Sequence, residues 1–430
     1  MITRRNLLAG LGAAALAPAI AAPALAKGKG AARVVVVGGG FGGATAAKYI
    51  KVRAPEINVT LIEPSPRFYT CPFSNLYLAG LRDFETIGHG YDELKKVYGV
   101  KVVRDFAQEV DPAAKTVKLK SGEKLSYDKL VLSPGIDFNW NGLQGYDEAA
   151  SLLAPHSWKA GDQTRLLRKQ LEALDDGGVF ILVAPADPYR CPPGPYERAG
   201  LIASYLKAKK PKSKILILDS KDAFSKQGLF LAGWKQEYGD LIEWVPLSKD
   251  GKVVKVDAKS LTVETEFGTT HKAGVLNVIP PQKAGLIAER AGVTNKAGWV
   301  PIKPETFESQ QVADIHVVGD ATIAAPMPKS GFCANAQGKV AAAAIVASLQ
   351  GRTTPNPSWV NTCYSLIGPE YGITVAGVYK VADGKIISVE GSGGVSPAAA
   401  APDFRKREAI YANAWYQAIT NDTWGTALRA

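Results

Sequence analysis

The stretch that most constrains this chain is ARVVVVGGGFGGATAAKYI, residues 32 to 50. A continuous apolar strand, Val34 to Val37, runs straight into a glycine turn and then into an alanine-rich helix. Gly38, Gly40 and Gly43 supply the GxGxxG spacing. That spacing allows a tight turn, close approach of backbone to a pyrophosphate, and close helix-to-strand packing at a positive helix terminus. Twenty residues after Gly43, VTLIEP reads as a second strand ending in Glu63, whose carboxylate can accept hydrogen bonds from ribose hydroxyls. The pair of signals predicts an α/β dinucleotide-binding domain.

Two later stretches decide which dinucleotide. YDKLVLSPGI is a strand entering a turn at Pro134 and Gly135, and DIHVVGDAT is a strand ending at Gly319 and Asp320 ahead of a long alanine-rich helix. Together with the first signature they resemble the glutathione-reductase-like flavoproteins, which carry two dinucleotide-binding domains. The resemblance implies FAD, its ribityl chain held by the late Gly-Asp pair, and an α/β fold of two Rossmann-like domains followed by a C-terminal α+β interface domain. The FAD domain is expected to be discontinuous, 31–150 and 272–350. A pyridine-nucleotide-like domain at 151–271 carries Cys191, and the interface domain occupies 351–430.

The second domain repeats the strand, helix and strand pattern, ending at Asp219, without the glycines. Its turn, APADPYRCPPGP, holds one glycine and five prolines, so it lacks many of the N–H groups that would cradle a pyrophosphate. Poor pyridine nucleotide binding is expected there. Cys191 is expected near the head of the helix that begins by Glu197, where a helix N-terminus favours thiolate. A bystander cysteine in a rigid proline loop stays open as the plain alternative.

The remaining composition narrows the setting. Residues 1–26 combine Arg4 and Arg5, an apolar Ala/Leu stretch and small residues at Ala24 and Ala26, which reads as a cleavable twin-arginine export signal to the periplasm. Removing those two arginines takes the net charge from +11 to +9, with no dense basic block, so nucleic acid is not an expected partner. No later run of about 18 apolar residues is evident, so no span is expected after the signal. The four cysteines, Cys71, Cys191, Cys333 and Cys363, lack CxxC spacing and make a poor metal site, and the four histidines show no ligand spacing.

One family gathers these pieces. The stretches LIEPSPRFYTC, HSWKAGDQT, RCPPGPYERA, FSKQ, PMPKSGFCANAQGKVAAAA and NTCYS, with the glycine turn, resemble the flavoprotein subunit of flavocytochrome c sulfide dehydrogenase. The resemblance implies that Cys71 bonds covalently to the flavin 8α-methyl group. It further implies that Cys191 and Cys363, 172 residues apart, form a redox-active disulfide attacked by hydrosulfide. Pairing of either with Cys333, otherwise a free structural thiol, stays open. Glu197 is the candidate proton carrier, with helix solvation as its alternative. Lys329 is a candidate for favouring anionic sulfide or reduced flavin, with a surface lysine as its alternative. The chain has no CxxCH and so no haem site of its own, and the implied partner is a separate c-type cytochrome subunit.

Beyond residue 350, YGITVAGVYKVADGKIISVEG reads as two strands around a turn, GSGGVSPAAAAPD as a flexible connector, and FRKREAIYANAWYQAITNDTW as a terminal helix. Arg405, Lys406, Arg407 and Glu408 are expected to interrupt any lipid-binding face on that helix, which favours a soluble acceptor. Two other readings remain: an NAD(P)H-dependent disulfide or quinone reductase, and a non-catalytic accessory flavoprotein of a thiosulfate-oxidising system.

Overall fold

The first glycine turn lies at the centre of a five-stranded parallel sheet, because its preceding strand, Arg33–Val37, is buried from Val34 onward and needs a neighbour on both sides. The spatial order is Ile315–Val317, Lys129–Leu132, Arg33–Val37, Asn58–Ile62, Lys101–Val103. The computed structural model describes residues 31–354 and 356–425, so the export-signal segment lies outside the described residues.

Helix Phe41–Arg53, which leaves the turn, packs on helix Gly331–Leu349. Small residues make this possible, since a Cβ on Gly338 would stand 2.5 Å from the carbonyl oxygen of Gly42. The second helix departs from the expectation about bilayer spans. Among the described residues it alone is long and apolar enough to cross a membrane, at a mean hydropathy of 1.2. Its alanine content serves close packing, and its buried residues run from Cys333 to Ala347.

The second sheet is also parallel, ordered Ile242–Val245, Lys214–Asp219, Val179–Ala184, Val275–Val278. Its last strand moves a boundary. Val275–Val278 pairs with Phe180–Val183, so the second domain runs past 272 to about 278. The chain returns to the first domain at Gln282–Ala284, which pairs with Ile136–Phe138.

The C-terminal region is an antiparallel sheet, Ser358–Gly368 with Tyr371–Ala382 and Lys385–Ser388, covered by helix Pro402–Trp424. The expected connector is tied down. Gly394–Val395 pairs with Val375–Ala376, and Arg405 donates to the carbonyls of Pro397 and Ala398. Arg405 and Glu408 are buried and joined by an ion pair at 3.3 Å. Of the four charges expected to face outward, only Lys406 and Arg407 do so.

That helix does more than cap the sheet. Trp424 donates its indole N–H to the carbonyl of Gly39 at 3.0 Å, and Lys48 donates to the carbonyls of Asn421, Asp422 and Gly425. The end of the helix is thereby fastened to the dinucleotide turn.

Candidate active site

The turn following Val37 opens into a cleft of about 590 Å³ that also reaches Glu63, Cys71, Cys191, Asp320 and Cys363. Gly38 and Gly40 line it. Gly43 lets the helix start directly against the turn, because a Cβ there would lie 1.9 Å from the carbonyl oxygen of Gly38. Glu63 is held on the cleft wall, accepting from the amides of Gly39 at 2.8 Å and Ser65 at 2.9 Å. Pro134, Gly135, Gly319 and Asp320 line the same cleft.

Asp320 supplies the clearest sign of a ligand. Its Oδ1 is buried without a protein partner, and its Oδ2 stands 3.9 Å from Arg190. Burial raises the Asp320 carboxyl above its ordinary value. A buried acceptor beside a glycine cradle and a ribose-binding carboxylate fits a flavin dinucleotide, whose hydroxyls can donate at both carboxylates.

Three thiols converge on this cleft: Cys71, Cys191 and Cys363. Cys71 follows strand Phe68–Tyr69, and its carbonyl accepts from the amide and hydroxyl of Ser74. Cys191 lies between strand Val179–Ala184 and helix Gly194–Lys209, with a left-handed φ of +59°. A non-glycine residue in that region carries backbone strain, here fixed by a hydrogen bond that the Cys191 amide donates to the Lys329 carbonyl at 2.8 Å. Cys363 sits on strand Ser358–Gly368, opposite Val375.

Among the described residues the cysteines are free thiols. Cys191 shares a hydrogen bond with Cys71, whereas Cys363 acts on it through charge. That hydrogen bond lowers Cys71, with Arg190 and Arg198 assisting, and raises Cys191, which burial raises further. The Cys191 sulfur lies against the start of helix Gly194–Lys209, since a Cβ on Gly194 would stand 3.0 Å from it, while burial and the neighbouring Cys71 act to raise its thiol. Cys333 lines a neighbouring pocket and not this cleft: it is buried, its Sγ lies 3.4 Å from Asn361 Oδ1, and burial pushes it up to about 12.

Glu197, on the first turn of helix Gly194–Lys209, also lines the cleft. Its Oε2 accepts from Asn75 Nδ2 at 2.8 Å and its Oε1 from the Leu366 amide at 2.9 Å. Burial is the largest influence and raises its carboxyl above the usual range. Lys329 does not point its ammonium into the cleft. It donates to the carbonyls of Asp320 and Thr322 and lies over the Trp299 ring at 3.8 Å, so its charge is already committed.

Several residues here carried no individual sequence signal. Arg198 is fully buried and donates to Asn75 Oδ1, Asn277 Oδ1 and the carbonyls of His156 and Ser157. It fixes Asn75, and through it Glu197. Lys226 is buried and donates to the Cys363 carbonyl. The stretches containing His156, Arg198 and Lys226 were informative only as blocks, because their partners lie far away in the chain.

The second dinucleotide position is closed by side chains. Asp219, at the end of its strand where a ribose would bind, is fully buried. It accepts from Tyr196 and Trp244 and forms an ion pair with Lys221 at 2.6 Å. Phe224 stacks on Tyr196 with ring centroids 3.5 Å apart. Fully buried and already bonded by three donors, this carboxylate presents no open face to a nucleotide.

Comparison with known proteins agrees with this arrangement. Residues 32–171 match the pyridine nucleotide-disulphide oxidoreductase family. Residues 164–280 match the central region of the sulfide dehydrogenase (flavocytochrome c) flavoprotein chain. Residues 355–424 match the flavin-binding region of flavocytochrome c sulphide dehydrogenase. The chain is 65% identical over 46 residues to the flavocytochrome c sulfide dehydrogenase flavoprotein chain of Chlorobaculum thiosulfatiphilum, covering 11% of this chain and 96% of that sequence. It is 26% identical over 307 residues to the mitochondrial sulfide:quinone oxidoreductase of Mus musculus, covering 67% of this chain and 65% of that protein. The chain thus spans about two thirds of the length of that relative. The structure of the sulfide:quinone oxidoreductase of Aquifex aeolicus shares the fold, with a TM-score of 0.72, 21% identity, and coverage of 92% of this chain and 93% of that one.

Proposed function

Because the chain belongs to the flavocytochrome c sulfide dehydrogenase flavoprotein family, we propose that it oxidises hydrosulfide at a Cys191–Cys363 disulfide and delivers the electrons to a separate c-type cytochrome subunit. The observation that carries this reading is the meeting of Cys191, Cys363 and Glu197 in the cleft that also holds the glycine turn and Asp320. Hydrosulfide attacking the disulfide forms one S–S bond and breaks another, leaving a persulfide on one cysteine and a thiolate on the other. When sulfur leaves as a zero-valent or polysulfide product both cysteines are left reduced, and the disulfide re-forms as its two electrons pass on toward the acceptor.

Gly38, Gly40, Gly43, Glu63, Gly319 and Asp320 would hold FAD, and Cys71 would anchor it as a thioether. When bound, FAD supplies the conversion between two-electron and one-electron transfer that a haem acceptor requires. Glu197 is held by two donors and kept protonatable by burial, which suits it to carry the proton of the attacking hydrosulfide. The buried Asp219 argues against NAD(P)H as the reductant. We place the protein in the periplasm, exported by the twin-arginine route through residues 1–26.

Sulfide added to the purified protein together with its cytochrome should reduce the haem, while NADH should leave the flavin absorbance unchanged. Flavin bleaching by sulfide with transfer only to a quinone, and none to a cytochrome, would replace the acceptor. Bleaching by NADH would overturn the reading.

A further inference from the structure

Among the described residues, four cations line the cleft: Arg67, Lys159, Arg165 and Arg190. Three of them are already paired. Arg67 and Arg165 meet Glu85 at 2.7 and 2.6 Å, and Lys159 meets Asp137 at 2.6 Å. Their side chains are 40%, 44% and 46% exposed, so water screens the charge that is left. The Arg190 side chain is 16% exposed and lacks such a partner. Its Nη1 reaches a carboxylate, that of Asp320, only at 3.9 Å, beyond hydrogen-bond length, and its Nε is buried with no partner. Nη2 donates to the Trp158 carbonyl. Arg198, by contrast, spends all three of its nitrogens on protein acceptors.

The loop presents this side chain together with the reactive sulfur. The Arg190 amide donates to Gln282 Oε1 at 2.9 Å, and the Cys191 amide to the Lys329 carbonyl at 2.8 Å. Arg190 and Cys191 both line the cleft, whereas Tyr189 and Pro192 on either side of them line the neighbouring cavity. Lys329 and Lys226, the buried amines nearby, are committed to carbonyls and a hydroxyl. A partly buried guanidinium left this open by the protein calls for a ligand that accepts. The pyrophosphate of FAD has its place at the glycine turn, and the FAD hydroxyls have theirs at Glu63 and Asp320. Hydrosulfide is the charged participant with no cation assigned to it.

We propose that Arg190 is the anion-binding residue of the cleft and that its occupant is the hydrosulfide that attacks the disulfide. A monoanion held by a charge-assisted hydrogen bond at Nη1 is delivered beside Cys191, oriented for attack. No covalent bond forms or breaks at Arg190. The proposal rests on the reading of Cys191 and Cys363 as the disulfide under attack, but anion binding is measured without turnover.

The flavin-loaded protein is titrated with azide, a small unreactive monoanion, and binding is read by calorimetry. Azide should bind at a saturable site and raise the sulfide concentration that half-saturates flavin bleaching, with the limiting rate left in place. Arg190→Met should weaken azide and raise the half-saturating sulfide concentration, each at least about tenfold, the lower end for a hydrogen bond to a charged group. Arg190→Lys, which keeps the charge, should recover most of both. Equal azide affinity in wild type and Arg190→Met, or no azide binding to the wild type, would overturn the proposal. So would an unchanged half-saturating sulfide concentration with a lowered flavin midpoint potential, since the guanidinium would then serve the reduced flavin. If Arg190→Met does not hold flavin, Arg190→Gln, which keeps a donor for the Trp158 carbonyl, takes its place. A wild type that sulfide fails to bleach would remove the disulfide reading, and the azide titrations would still decide whether Arg190 binds the anion.

Discussion

Replacing Glu197 with glutamine changes one atom type and should be felt in both stability and rate. Both carboxylate oxygens accept hydrogen bonds, from Asn75 Nδ2 and the Leu366 amide. A glutamine offers one oxygen and one NH2 group. Asn75 cannot turn its amide to compensate, because its Oδ1 already accepts from Arg198 Nε at 3.1 Å. One buried donor is left facing another, at a cost of about 1–3 kcal/mol.

The pH dependence carries a second signature. Burial raises the folded-state pKa of Glu197 above its ordinary 4.5, so the native protein holds a proton that the unfolded chain has released. Stability contributed by this group is therefore full below the ordinary value, and falls as pH rises through the raised one. Glu197→Gln should remove that segment of the slope in urea unfolding midpoints measured across pH. Loss of the proton carrier should also reduce sulfide-dependent flavin bleaching in stopped flow by about 10²- to 10⁴-fold. A variant with the wild-type bleaching rate, an unchanged pH profile and an unchanged unfolding slope would refute the assignment.

Two further outcomes follow from the same cleft. Gly43→Ala places a methyl group 1.9 Å from the Gly38 carbonyl oxygen, so the turn must open and the protein should purify without its yellow absorbance at matched yield. Acid denaturation of the wild type should leave the yellow colour on the polypeptide, and Cys71→Ser should release it to the supernatant; colour released from the wild type would refute the covalent link.

What the sequence made legible was local. Gly38, Gly40, Gly43 and Glu63 lie within 26 residues, and their spacing alone reports a turn, a helix start and a ribose carboxylate. The proline loop around Cys191 was legible for a similar reason, since missing glycines and missing N–H groups can be counted. The partners of Glu197 were not, because Asn75 is 122 residues away and Leu366 is 169 away. Lys226 and Ser365 meet across 139 residues through a fold that no periodicity encodes. The charges at 405–408 misled for a related reason. Read as a surface run, Arg405 and Glu408 are in fact buried, where they hold the connector at residues 396–398.

The bond from Trp424 to Gly39 joins groups 385 residues apart. A nascent chain emerging from the ribosome therefore makes its nucleotide turn long before the helix that fastens it, and closing so large a loop comes late on any folding route. Cofactor capture is thereby tied to synthesis beyond residue 424: a chain truncated or stalled before it would present the glycine turn with its indole clasp missing, and would be expected to let the nucleotide go.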